Sequence, residues 1–102
     1  MSDTDRSVYR QIAAELADQA DAEAAARHPQ LGRVNAELGL VYLAFETAPM
    51  ANAHVAKAWQ AAEAARASLA DGTAIGAAAD IARARLHLAL AETDEADLGP
   101  AT

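Results

Sequence analysis

The segment Leu38-Gly39-Leu40-Val41-Tyr42-Leu43-Ala44-Phe45 decides the fold of this 102-residue chain. Eight residues this apolar suit either a buried strand or the middle of a buried helix. No other stretch offers a partner strand. Upstream, Leu31 and Val34 extend the pattern to Leu31, Val34, Leu38, Val41 and Phe45, whose alternating spacings of three and four mark one face of a helix. Leu40, Tyr42 and Leu43 cover its other faces. A helix apolar nearly all round belongs in the middle of its domain, so the pattern predicts a central helix over about 29–46, enclosed by its neighbours.

Working outward, proline, glycine and small polar residues divide the rest of the chain. A first helix over about 4–27 ends before His28-Pro29, because a residue preceding proline avoids the α region. Its stripe is Val8, Ile12, Leu16 and Ala20, with Tyr9 beside it, and beyond Leu16 its only apolar residues are alanines. That second half packs only where another backbone comes close; otherwise it stays partly exposed. A third helix opens at Pro49, a residue tolerated in a first turn, and runs to Ala70 with the stripe Val55, Trp59, Ala62 and Leu69. Gly72 suits the left-handed cap that follows. The fourth helix, over about 74–92, shows Ile75, Ala79, Ala82, Leu86 and Leu90 on one face and Ile81 and Leu88 on another. Such a helix either sits between neighbours or lends one flank to a partner. The expected organisation is one all-α domain over 1–92, four antiparallel helices in an array or an up-down four-helix bundle, followed by an acidic flexible tail over 93–102.

Composition narrows the function classes. Roughly thirty alanines favour helix throughout. The net charge is −7, and the basic residues are scattered apart from Arg83 and Arg85, so neither nucleic acid nor an anionic membrane is an expected partner. The longest strongly apolar run is far short of a membrane span. Without cysteine there is neither a disulfide framework nor a thiolate site. Met1-Ser2-Asp3-Thr4-Asp5 is acidic and lacks an apolar run, which points to a cytoplasmic protein without a secretory signal. Lys57 is the only lysine, and with the alanine excess this fits a GC-rich bacterial coding sequence.

Candidate chemistry is sparse. His28, His54 and His87 lie on separate segments, and none has an acid three or four residues away, so no metal site and no cofactor is expected. Ser2, Ser7 and Ser68 lie outside any strained glycine-rich turn, and no phosphate-cradling loop is present. Glu37, Glu46 and Glu63 could meet in a cleft for general acid and base work, but their usual meaning is a solvated face. His54-x-x-Lys57 resembles the phosphotransfer domain of bacterial relay systems. That resemblance implies phosphate on His54, stabilised by Lys57; Ala58 departs from it, standing where the family has a glycine that makes room for the receiver.

Leu38-Gly39-x-x-Tyr42, the turn at 46–49, and then Ala51, Val55 and Ala58 resemble the tetratricopeptide repeat over about 32–65. The resemblance implies a helix pair in which the glycine lets the two helices approach, the tyrosine fills the space between neighbouring pairs, and the small residues sit at the closest crossing. Asn35 replaces the usual tryptophan and Glu63 the common proline. It also implies a surface for peptides or protein partners and no chemistry of its own. The residues expected to carry the packing are Leu38, Gly39, Tyr42, Phe45, Val55, Ala58 and Trp59. The expected function is a non-enzymatic protein-interaction module, an adaptor or small subunit that pairs with a protein partner or with itself as a homodimer. The alternatives are a relay through His54 and Lys57, or a helical bundle that holds a small molecule.

Overall fold

A computed structural model describes residues 3–98 as four helices: α1 (Asp3–Ala25), α2 (Pro29–Ala44), α3 (Ala53–Ala70) and α4 (Ala74–Leu98). No strand occurs among the described residues. The chain forms an open array of two antiparallel hairpins, α1 with α2 and α3 with α4. Helix α2 is the common neighbour, touching α3 and α4 as well as α1, while among the described residues the backbone of α1 approaches neither α3 nor α4. A closed up-down bundle would need α1 against α4, so the array is the arrangement adopted.

Both hairpins are zipped by small residues. In the first, Gly32 and Gly39, seven residues apart on α2, lie against the alanine face of α1. A Cβ on Gly32 would come within 3.2 Å of the Ala20 carbonyl oxygen, and one on Gly39 within 3.5 Å of that of Ala13. The alanine half of α1 therefore packs by close backbone approach. Gly39 works at the α1–α2 seam, not at the α2–α3 crossing that the repeat resemblance implies. In the second hairpin the buried residues are nearly all alanine: Ala58, Ala61, Ala62 and Ala65 on α3, and Ala77, Ala84 and Ala91 with Ile81 on α4.

The hairpins are pinned together by the four aromatic side chains of the protein. Tyr9, Tyr42, Phe45 and Trp59 form one cluster with ring centroids 5.3 to 6.0 Å apart, mostly edge to face, the favoured geometry for aromatic pairs. The Tyr9–Trp59 contact joins α1 to α3, whose backbones stay apart. Leu38, Gly39, Tyr42, Phe45, Val55 and Ala58 are buried and Trp59 is half-buried.

The turns follow local chemistry. Gly72 (φ 79°) closes α3 in a left-handed cap, with the Thr73 N–H donating to the Ser68 carbonyl and the Gly72 N–H to that of Leu69. Helix α1 ends in the same hydrogen-bond pattern, His28 to Glu23 and Arg27 to Ala24, but with Arg27 at φ 64° where glycine would be unstrained. Helix α3 starts at Ala53, not at Pro49, because the Asn52 side chain accepts the His54 N–H at 2.8 Å and caps it there. Helix α4 continues through residues 93–98 of the expected tail, and 99–102 lie outside the described residues.

Candidate functional site

Helix α4 has two apolar sides half a turn apart. Ala84 and Leu86, two residues apart, point in nearly opposite directions at ~100° per residue. The inward side is Ala77, Ile81, Ala84 and Ala91, each at most 1% exposed, with Leu88 partly buried. The outward side is the stripe Ile75, Ala79, Ala82, Leu86 and Leu90. Ile75 is 84% exposed and Leu86 60%. The alanine-lined α3 face brings α4 so close that only small side chains and one isoleucine fit between them, which turns the larger residues outward. The residue pattern leaves open which flank of this helix meets a neighbour; the stripe with the larger residues is the solvent face.

The stripe is not isolated. A groove between α2 and α4 is lined by Leu40, Val41 and Ala44 from α2 and by Leu88 and Ala89 from α4, with Glu37, Arg85 and Glu92 at its edges. Leu40 on its α2 rim is 67% exposed, and Leu43 beyond it is exposed as well. The central helix is therefore enclosed on three sides and open along Leu40 and Leu43, contrary to the expectation of full enclosure. Among the described residues, five of the six exposed large hydrophobic side chains sit on α2 and α4, Val8 being the sixth. From Ile75 to Leu90 the stripe spans fifteen helical steps, about 22 Å. Continuous apolar surface of this kind marks a contact site more often than chance exposure does.

The polar residues singled out by sequence fall elsewhere. His54 near the start of α3 meets His87 on α4, Nδ1 to Nδ1 at 3.1 Å, and the 5.3 Å centroid separation is that of two rings joined head-on by one hydrogen bond. Only one nitrogen of the pair can donate, so the contact needs at least one neutral ring. The other edge of His54 faces Asp94, Nε2 to carboxylate at 3.8 Å. Partial burial first, then the nearby cationic groups His54, Lys57 and Arg83, pull the His87 pKa below its ordinary value. Sequence spacing along one helix missed this pair. Its signal was positional, since His54 and His87 stand almost equally far from the Asp71-Gly72 turn and so meet across the hairpin.

His54 thus has both ring nitrogens near partners, one of them a carboxylate that repels a phosphodonor, and Lys57 is exposed one turn on. Among the described residues no three His, Asp or Glu side chains come together as a metal-holding group. Glu37 pairs with Arg33 and Glu46 with Arg10, while Glu63 accepts the Tyr42 hydroxyl at 3.0 Å. These three carboxylates therefore have separate partners. Burial and the Glu63 carboxylate push the Tyr42 phenol well above its usual pKa, so Tyr42 stays a neutral donor. Glu63, standing where the repeat pattern has proline, thereby satisfies the one polar atom of a buried ring.

The cavities are open grooves. One of about 580 Å³ lies between the two hairpin turns, lined by Arg27, His28, Pro29 and Leu31 on one side and Gly72, Thr73 and Ile75 on the other. No helix among the described residues is long and apolar enough to cross a membrane. Compared with known proteins, the chain matches no family model, no curated protein and no solved structure.

Proposed function

We propose that the protein is a non-enzymatic helical interaction module whose contact surface is the outward face of α4 together with the adjoining Leu40 rim of α2. The observation that carries this reading is the apolar stripe Ile75, Ala79, Ala82, Leu86 and Leu90 lying opposite a core that is already closed by alanines. Fully burying a leucine or isoleucine is worth about 1.5–3 kcal/mol, so Ile75, Leu86 and Leu90 together offer a partner several kcal/mol. Of the tetratricopeptide-like residues, Leu38 and Tyr42 agree with a binding role, since that resemblance implies recognition of proteins or peptides, whereas Gly39 serves the α1–α2 seam.

A photo-activatable residue placed at Leu86 in the native host tests the reading, with exposed Ala67 on α3 as the control. A discrete protein adduct is expected from position 86 and none from 67. Absence of any adduct at 86, with the protein expressed and folded, contradicts the proposal.

A further inference from the structure

Resting on that reading, we infer that the occupant of the α4 face is a second copy of this chain, docked through its own α4 in an antiparallel pair about a two-fold axis. The stripe alone does not name its partner. The charges beside it do.

Four charged side chains flank the C-terminal half of the stripe. Arg83 and Asp94, three helical turns apart, lie on the flank toward α3; Arg85 and Glu92, two turns apart, lie on the flank toward α2. Both pairs are centred on the same point, between Leu88 and Ala89. A two-fold axis through that point reverses the second helix and keeps each flank on its own side. Arg83 then faces Asp94 of the second copy, Arg85 faces Glu92, and the reciprocal pairs form at the other end. The same operation sets Leu86 beside Leu90 of the second copy and Leu90 beside its Leu86. Around Leu86 and Leu90 apolar and ionic complementarity share one register, which is the self-complementarity a two-fold contact requires, and Ile75 lies beyond this overlap. Parallel pairing would put like charge on like.

Two further observations favour a copy over an unrelated partner. The chain carries a net charge of −7, which opposes self-association over most of its surface, yet these four residues sum to zero. Ala79, Ala82 and Ala89 are exposed along the face and small enough to let a second helix axis come close, as the alanines do between α3 and α4. The present partners of the flanking residues are replaceable. Arg83 holds Asp80 at 2.8 Å with its side chain largely in water, and Asp94 only approaches His54. Exposed pairs of this kind are weak and exchange readily.

Sedimentation velocity on the full chain at roughly 100 μM, a concentration that populates even modest dimers, tests the inference. The wild type is expected to be a dimer, and Leu86→Glu a monomer of unchanged helix content. Arg83→Asp and Asp94→Arg are each expected to be monomeric, because each sets like charges face to face. Mixing the two variants in equal amounts restores a dimer, since the carboxylate introduced at position 83 of one then meets the guanidinium introduced at position 94 of the other, while the native pair forms at the other end. A monomeric wild type, single charge variants that dimerise normally, or a mixture that stays monomeric would each overturn the inference. If the purified chain is monomeric while position 86 still forms an adduct with another protein in the host, the second copy is excluded and the interaction reading stands.

Discussion

Helices α2 and α4 are both apolar on two sides, and they resolve the excess in opposite ways. Helix α2 buries its large side chains Leu38, Val41 and Tyr42, together with Phe45 at its C-cap, and leaves Leu40 and Leu43 in water. Helix α4 buries mostly alanine and leaves Ile75, Leu86 and Leu90 outside. The difference lies in what each helix packs against. Around α2 the aromatic cluster and three neighbouring helices leave room that large residues must fill. Against α4 stands a face of Ala58, Ala61, Ala62 and Ala65, which rewards close approach and leaves little volume. Size alone does not place a residue in the core; the neighbour's surface decides.

The contrast is broken most sharply by truncating a leucine in each helix. Leu38→Ala is expected to cost about 2–5 kcal/mol in urea unfolding, whereas Leu86→Ala, measured on dilute protein, stays within about 0.5 kcal/mol of the wild type. Equal losses at the two sites would mean that α4 does not face outward as described. Enlarging a small residue runs the comparison in reverse. Ala84→Leu forces a side chain into the α3–α4 seam and costs about 1–3 kcal/mol or more, while Ala82→Leu, two residues away on the open face, is nearly neutral.

Smaller effects distinguish the turns that lead into the two helices. The turn before α4 has Gly72 at its left-handed position and the turn before α2 has Arg27, so Arg27→Gly should raise stability by about 1 kcal/mol, and Gly72→Arg should lower it. The smallest expected effect is a pH dependence specific to α4. A histidine with a lowered folded pKa takes up fewer protons in the native state than in the unfolded chain, so its contribution is complete above the ordinary value of 6.5 and is lost as pH falls from there toward the lowered value. Urea midpoints at pH 7.5 and pH 5.5 should therefore differ by less in His87→Gln than in the wild type. An unchanged difference would remove the His54–His87 contact from the account.

Much of the helix layout was readable from residue pattern. The central segment is helical with Leu38, Val41, Tyr42 and Phe45 inside, and His28-Pro29 and Asp71-Gly72 end α1 and α3. What the pattern left undecided was the choice of face on α4. Two apolar stripes at helical spacing look alike in sequence, so the pattern does not say which of them faces the core. The repeat of Ala77, Ala84 and Ala91 at intervals of seven, answered by Ala58 and Ala65 on α3, was the better signal, though nearly invisible in a chain so rich in alanine. Asn52 likewise outcompeted Pro49 as a helix start because its side chain satisfies a backbone N–H, whereas proline only tolerates a first turn. The surface now proposed as the contact site was legible as an apolar flank, but its outward direction depends on α3.

The central claim, that α4 presents its large side chains to solvent and its small ones to α3, is tested most directly by thiol labelling, for which a chain without cysteine is a clean background. Single cysteines at positions 84 and 86 are exposed to a thiol reagent under native conditions, in dilute protein. Position 86 should react at the rate of a free peptide thiol, and position 84 only through opening of the hairpin, orders of magnitude more slowly. Comparable rates at the two positions, or faster labelling at 84, would contradict the account.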